Sequence, residues 1–224
     1  MFTESCIDAS ALPEKSCGVF FKFDGNDMRA LTTSILAVSL LASAPAFADT
    51  FHLEPDHTDI RFFWDHAGVS EQSGRWDSVK GTVDFDKDDV AATKVDVTIQ
   101  AASVNTGVEG LDKHLSNSDF FEVETYPEIK FVSTGATQIS AAGMKIEGNL
   151  TIKDVTKPMT LDVQLVHEGK HPLGAFIPHY EGEWVGIRAE GSILRSEFGV
   201  GKFAPLTSDK IRLVINSEMR AGGW

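Results

Sequence analysis

The chain has 224 residues, a formal net charge of −13 and two cysteines. Acidity on that scale opposes the phosphate backbone of nucleic acid and anionic membrane surfaces, so neither is an expected partner. Cys6 and Cys17 both precede the first stretch with globular patterning, which leaves the fold without disulfides or thiolate metal ligands.

Met28-Arg29-Ala30 leads into an apolar run from Leu31 to Leu41 and then into small residues ending at Ala46-Phe47-Ala48. A positive start, an apolar run of that length and an A-x-A end describe a cleavable export signal over 28–48, cut after Ala48. A membrane anchor would need roughly 20 apolar residues. Residues 1–27 precede that start, resemble neither signal nor domain, and read as an over-extended, disordered gene start. The expected single domain is 49–224, long enough for a sizeable core. Residues 1–48 carry three basic and five acidic residues, so the domain keeps −11 of the −13. These features predict a soluble periplasmic protein, not an integral membrane protein, that holds together without disulfides.

From His57 the dominant period is two. Ile60, Phe62, Trp64 and His66 share one face of a first strand. A second strand, Trp76 to Phe85, puts Gly81, Val83 and Phe85 on one side before a turn at Asp86-Lys87-Asp88-Asp89. Lys94 to Gln100 alternates polar and apolar. Further strands are predicted over Ile129–Thr137, Met144–Ile152, Met159–Val166, Gly186–Arg195 and Ile211–Ile215, with turns at Ala142-Gly143, Asp154–Pro158 and Glu168-Gly169. A helical spacing occurs only near residues 108–117, where Leu111 and Leu115 stand four apart and Thr106 is the candidate N-cap. One helix of one to three turns cannot cover a sheet as in an α/β fold. An antiparallel sheet of about eight strands removes its edges by closing, so an all-β barrel is expected ahead of a sandwich. Such a barrel is either filled by side chains or holds one small ligand.

Several segments in one order carry a family resemblance. They are His57-x-x-Ile60-x-Phe62-x-Trp64-x-His66, Gly81-Thr-Val-Asp-Phe85, Ala102-Ser-Val-Asn-Thr106, Asp112-x-His114-Leu115, Asp119-Phe120-Phe121, Tyr126-Pro127, Phe131, Gly148–Ile152, Val155–Pro158 and Arg195-Ser-Glu-Phe198-Gly199. Over nearly all of 51–219 the chain resembles the YceI family of exported, lipocalin-like, polyisoprenoid-binding proteins. The resemblance implies an extended eight-stranded antiparallel barrel around an elongated apolar cavity. It implies a long-chain apolar lipid, polyisoprenoid or quinone-like, as ligand, with no other cofactor and no catalytic residues. A homodimer is compatible with it. Leu111 stands where arginine is frequent in the family, Asp154 replaces the usual glycine, and the loop His167–Trp184 is longer than the common pattern.

The expected cavity lining is Phe62, Trp64, His66, Trp76, Phe85, His114, Phe120, Phe121, Phe131, Ile152, Arg195 and Phe198; Phe203 belongs to the same aromatic set. The plain alternative for the aromatics is ordinary core. His66 is either a satisfied core histidine or a donor to a ligand headgroup. His114 either bonds Asp112 or Asp119 and fixes the 110–131 segment as a plug, or faces the ligand. Arg195 lies near the mouth, solvated, strand-paired or turned to the headgroup. His167, His171 and His179 raise the question of a metal, but His167 and His171 straddle a turn and Pro172 follows, so helical ligand spacing has no meaning there. A hydrolase would have to use Asp112, His114 and Ser116 or Ser118, which point to different faces of a helix. A filled barrel acting as an interaction module through the His167–Trp184 loop is the remaining alternative.

Overall fold

The structure, a computed structural model, describes residues 48–223; residues 1–27 and the expected signal, apart from Ala48, lie outside the described residues. Ten strands follow in chain order: β1 Asp49–His66, β2 Ser70–Trp76, β3 Val79–Phe85, β4 Lys94–Gln100, β5 Val104–Asn105, β6 Glu128–Gln138, β7 Gly143–Ile152, β8 Val155–Lys170, β9 Glu183–Leu194 and β10 Lys210–Ala221. One α-helix, α1 Glu109–Ser116, stands between β5 and β6. The sheet order β10-β9-β8-β7-β6-β4-β3-β1 is closed by a β10–β1 pairing, and every pairing is antiparallel. The barrel is therefore eight-stranded, as expected, with β2 and β5 as an extra flap.

The flap arises from the length of β1. Its first residues, Asp49 to His52, pair with β3, while Ile60 to His66 pair with β2. β10 runs beside both halves, with the register shifted between Leu53 and Thr58. That irregularity bends the strand and lets it leave one neighbour for another.

Inward positions repeat at intervals of two, as a pleated strand requires. Met144, Ile146, Leu150 and Ile152 of β7 are buried, as are Met159, Leu161 and Val163 of β8. Each such side chain contributes about 1.5–3 kcal/mol when fully buried.

Several predicted boundaries need correction. Trp76 to Phe85 is not one strand: β2 ends at Trp76 and β3 begins at Val79. The turn expected over Asp154–Pro158 is confined to Lys153-Asp154, with Lys153 at φ 57. Pro158 sits inside β8 opposite Asn149, at a level where β8 has not yet met β9, so its missing N–H disturbs no second ladder. Glu168-Gly169 is likewise strand, because β8 runs on to Lys170. Thr106 does not cap the helix; Val108 holds the N-cap position without a side-chain bond. Thr106 instead gives both its N–H and its hydroxyl proton to Asp112 Oδ1, at 2.7 Å each.

Candidate functional site

The barrel encloses a cavity of about 420 Å³, within the range of small-molecule sites. Its walls are the inward rows of the eight ring strands together with α1 and the segment after it. On β1 the wall residues are Leu53, Thr58, Ile60, Phe62, Trp64 and His66, so the expected strand face is the observed one. Trp76, Phe85, His114, Phe120, Phe121, Phe131, Ile152 and Arg195 are also on the wall. Phe198 is not: it is 2% exposed, in the 3-10 turn Arg195–Phe198, and packs in the core outside the cavity. Its side chain follows that turn, and strand parity has no force beyond Leu194.

Aromatic rings form one side of the chamber. Phe62 stacks on Trp64 with centroids 5.7 Å apart and tilts against Trp76 at 4.7 Å. Trp76 takes Phe121 edge-on at 5.9 Å. Two rings depend on glycines beneath them. A Cβ at Gly74, directly across the ladder from Phe62, would fall on the Phe62 ring, and one at Gly148 would fall on Phe131. Aliphatic residues missed by the sequence reading complete the wall, among them Ile146, Leu161, Ile187 and Leu213. The period-two pattern of β7 to β10 contained them.

Several polar groups on the wall are committed within the protein, whereas Trp76 Nε1 and Thr93 Oγ1 are buried there without a partner. Thr58 and Ser217 join hydroxyl to hydroxyl at 2.8 Å. Arg195, 7% exposed, is neither solvated nor strand-paired nor free to meet a ligand. Its Nε donates to Ser208 O, one terminal nitrogen to Val200 O and Lys202 O, and the other to Thr207 O and Thr207 Oγ1. Those are the five N–H donors an arginine possesses. Burial pushes the guanidinium down from its ordinary value, while the Asp209 carboxylate opposes that shift. Arg195 therefore ties down the loop that follows β9.

The cavity opens at the end where β1 finishes. His66 is exposed there and makes an isolated bridge with Thr207, and Phe203, 51% exposed, belongs to the wall as well. His66 is thus a mouth residue, not a core histidine. The plug closes part of this end. After α1 the chain folds back, with Phe121 N bonded to Leu115 O and Val123 N to Ser116 O. Lys153 Nζ reaches Glu122 at 3.2 Å and covers the Tyr126 ring. Across the mouth, Asp119 Oδ2 meets His114 Nε2 at 3.2 Å and Lys202 Nζ at 2.5 Å. Hydrogen bonds from Lys202 and then His114 hold the Asp119 carboxyl below its ordinary 3.8.

Asp112, His114 and Ser116 do not form a relay with one another. His114 turns to Asp119, Asp112 is occupied by Thr106, and Ser116 Oγ donates to Asp112 O. His171 and His179 serve separate carboxylates, Glu218 at 3.5 Å and Glu54 at 3.7 Å. Among the described residues no group of three or more His, Cys, Asp or Glu could hold a metal ion. The barrel interior holds an open cavity and is not filled by side chains.

Comparison with known proteins gives the same architecture. A UPF0312 protein of Pectobacterium atrosepticum is 35% identical over 188 residues, covering 83% of this chain and 94% of its own. The crystal structure of Burkholderia cenocepacia BcnA superposes with a TM-score of 0.65 at 20% identity, over 74% of this chain and 98% of that one. A polyisoprenoid binding domain from Saccharophagus degradans, implicated in plant cell wall breakdown, matches at a TM-score of 0.51 and 15% identity, over 79% of this chain and 99% of that one. The model of the YceI-like domain matches residues 51–219, which span almost the whole described barrel, and the chain belongs to the YceI family.

Proposed function

We propose that this protein is a periplasmic carrier or sequestering protein that holds a long apolar lipid, polyisoprenoid or quinone-like, in the barrel cavity. The observation that carries the reading is an open interior walled by hydrocarbon and aromatic rings, with the Thr58–Ser217 and Arg195 donors already committed. A cavity of that kind selects a chain, not a charge. Each buried CH₂ contributes about 0.8 kcal/mol, so roughly ten of them supply the ~8 kcal/mol of a micromolar complex before ordering costs. Several isoprene units exceed that without any ionic anchor. The fold-level likeness to a polyisoprenoid binding domain supports the same ligand class. The scattered Asp112, His114 and Ser116 favour binding over catalysis. Native mass spectrometry of protein purified from its own host is the test. A retained lipid, or uptake of a polyprenyl or prenylquinone chain presented in detergent, is expected. Protein that arrives empty and takes up neither chain refutes the reading.

A further inference from the structure

Just outside the mouth, three large apolar side chains face solvent: Val69 at 82% exposure, Leu206 at 69% and Phe203 at 51%. They lie on the β1–β2 turn and on the loop between β9 and β10. Those two segments are tied together by the His66–Thr207 bridge and by hydrogen bonds from Ser208 N to Asp65 O and from Asp65 N to Ser208 Oγ. Neither segment is slack. Ala67 at φ 60 and Phe203 at φ 66 hold left-handed backbone that residues with a Cβ rarely adopt. The five donors of Arg195 brace the loop from beneath. Backbone held in such a conformation by its surroundings points to a role for what it displays. Here it displays hydrocarbon.

Phe203 belongs both to the cavity wall and to this outer rim, so one aromatic side chain carries apolar surface from the interior to the outside, beside the Asp119–His114–Lys202 cluster. We propose that the rim is a bilayer-docking surface, seating the mouth against a zwitterionic lipid membrane so that cargo passes between bilayer and cavity without crossing water. The proposal rests on the lipid-carrier reading. Three side chains offer far less surface than the roughly 800 Å² per partner that a stable protein interface buries, but they suffice for shallow, reversible contact with a bilayer. The domain's formal charge of −11 disfavours an anionic surface. A second exposed apolar set, Phe176 at 83% with Leu173 and Ile177 at 43% each, does not line the cavity and serves as an internal control.

The test compares the wild type with the double variant Val69→Asp/Leu206→Asp and with Phe176→Asp on a phosphatidylcholine monolayer. None of the three positions lines the cavity. The wild type and Phe176→Asp are expected to raise the surface pressure alike, and the double variant to lose at least about five-sixths of that rise. A wild type that does not insert, a double variant that inserts fully, or a loss seen only in Phe176→Asp each overturns the proposal. Uptake of a prenylated quinone from detergent is measured in parallel and is expected to be the same in all three proteins. If none takes it up, the carrier reading fails while the monolayer result still decides the rim.

Discussion

Phe63 and Phe121 differ in what they touch, and that difference is open to measurement. Phe121 lies on the cavity wall with its edge on Trp76. Phe63, of opposite strand parity to Phe62, lies outside it under the Arg212 guanidinium, 4.0 Å from the ring centroid. Losing an aromatic wall costs about 1.5–3 kcal/mol of burial, so Phe121→Ala should weaken lipid uptake by about tenfold or more, against little change for Phe63→Ala. Equal losses in a detergent-uptake titration would mean that the wall is elsewhere. Single residues were legible where a strand imposes parity. Ile60, Phe62, Trp64 and His66 fall on one wall because side chains alternate. Arg195 and Phe198 escaped that logic, since they are the first and last residues of a 3-10 turn. Four of the five acceptors of Arg195 are backbone carbonyls, whose direction no side-chain pattern encodes.

The plug is an element that cannot stand alone. α1 has eight residues, below the length at which an isolated helix persists, so its place depends on the ties around it. The tie across the mouth is the Asp119 carboxylate between Lys202 and His114. A carboxylate whose folded pKa lies below its unfolded value adds stability above the unfolded value, and that stability is lost as pH falls through the folded one. Acidification below the ordinary 3.8 of an aspartate is therefore expected to free the plug from the 199–209 loop. Hydrogen exchange at the Phe120 and Phe121 amides should rise over that range in the wild type and should be raised already at neutral pH in Asp119→Asn. Exchange that stays flat in both would show the plug to be held from the β7–β8 side alone. The helix itself was readable from Leu111 and Leu115, whereas the latch was not, because Asp119 and Lys202 meet only through the closed barrel. β2 was missed for a related reason. Its sequence SEQSGRW has no apolar alternation, since only Gly74 and Trp76 at its end are buried and the rest is held by pairing with β1.

At the scale of the whole molecule, an apolar cavity of about 420 Å³ forfeits contacts that a filled core would have, and a lipid restores them. A ligand at a hundred times its Kd stabilises the folded state by about 2.7 kcal/mol. For a domain of this size that corresponds to a Tm rise of about 5–10 °C. Scanning calorimetry of delipidated and reloaded protein should show it, and coincident melting curves would argue that lipid does not enter the barrel. The ring that creates this cavity closes between β1 and β10, where Phe51 meets Ala221 and Phe63 meets Arg212. Every other join in the ring links strands nearer in sequence. Closure is thus the least local event in folding and the one with the largest loop entropy to overcome. Until β10 arrives, seven strands form an open sheet with an apolar face and no inside. Holding cargo is then an all-or-none property of the finished ring, acquired at the last pairing and not built up strand by strand.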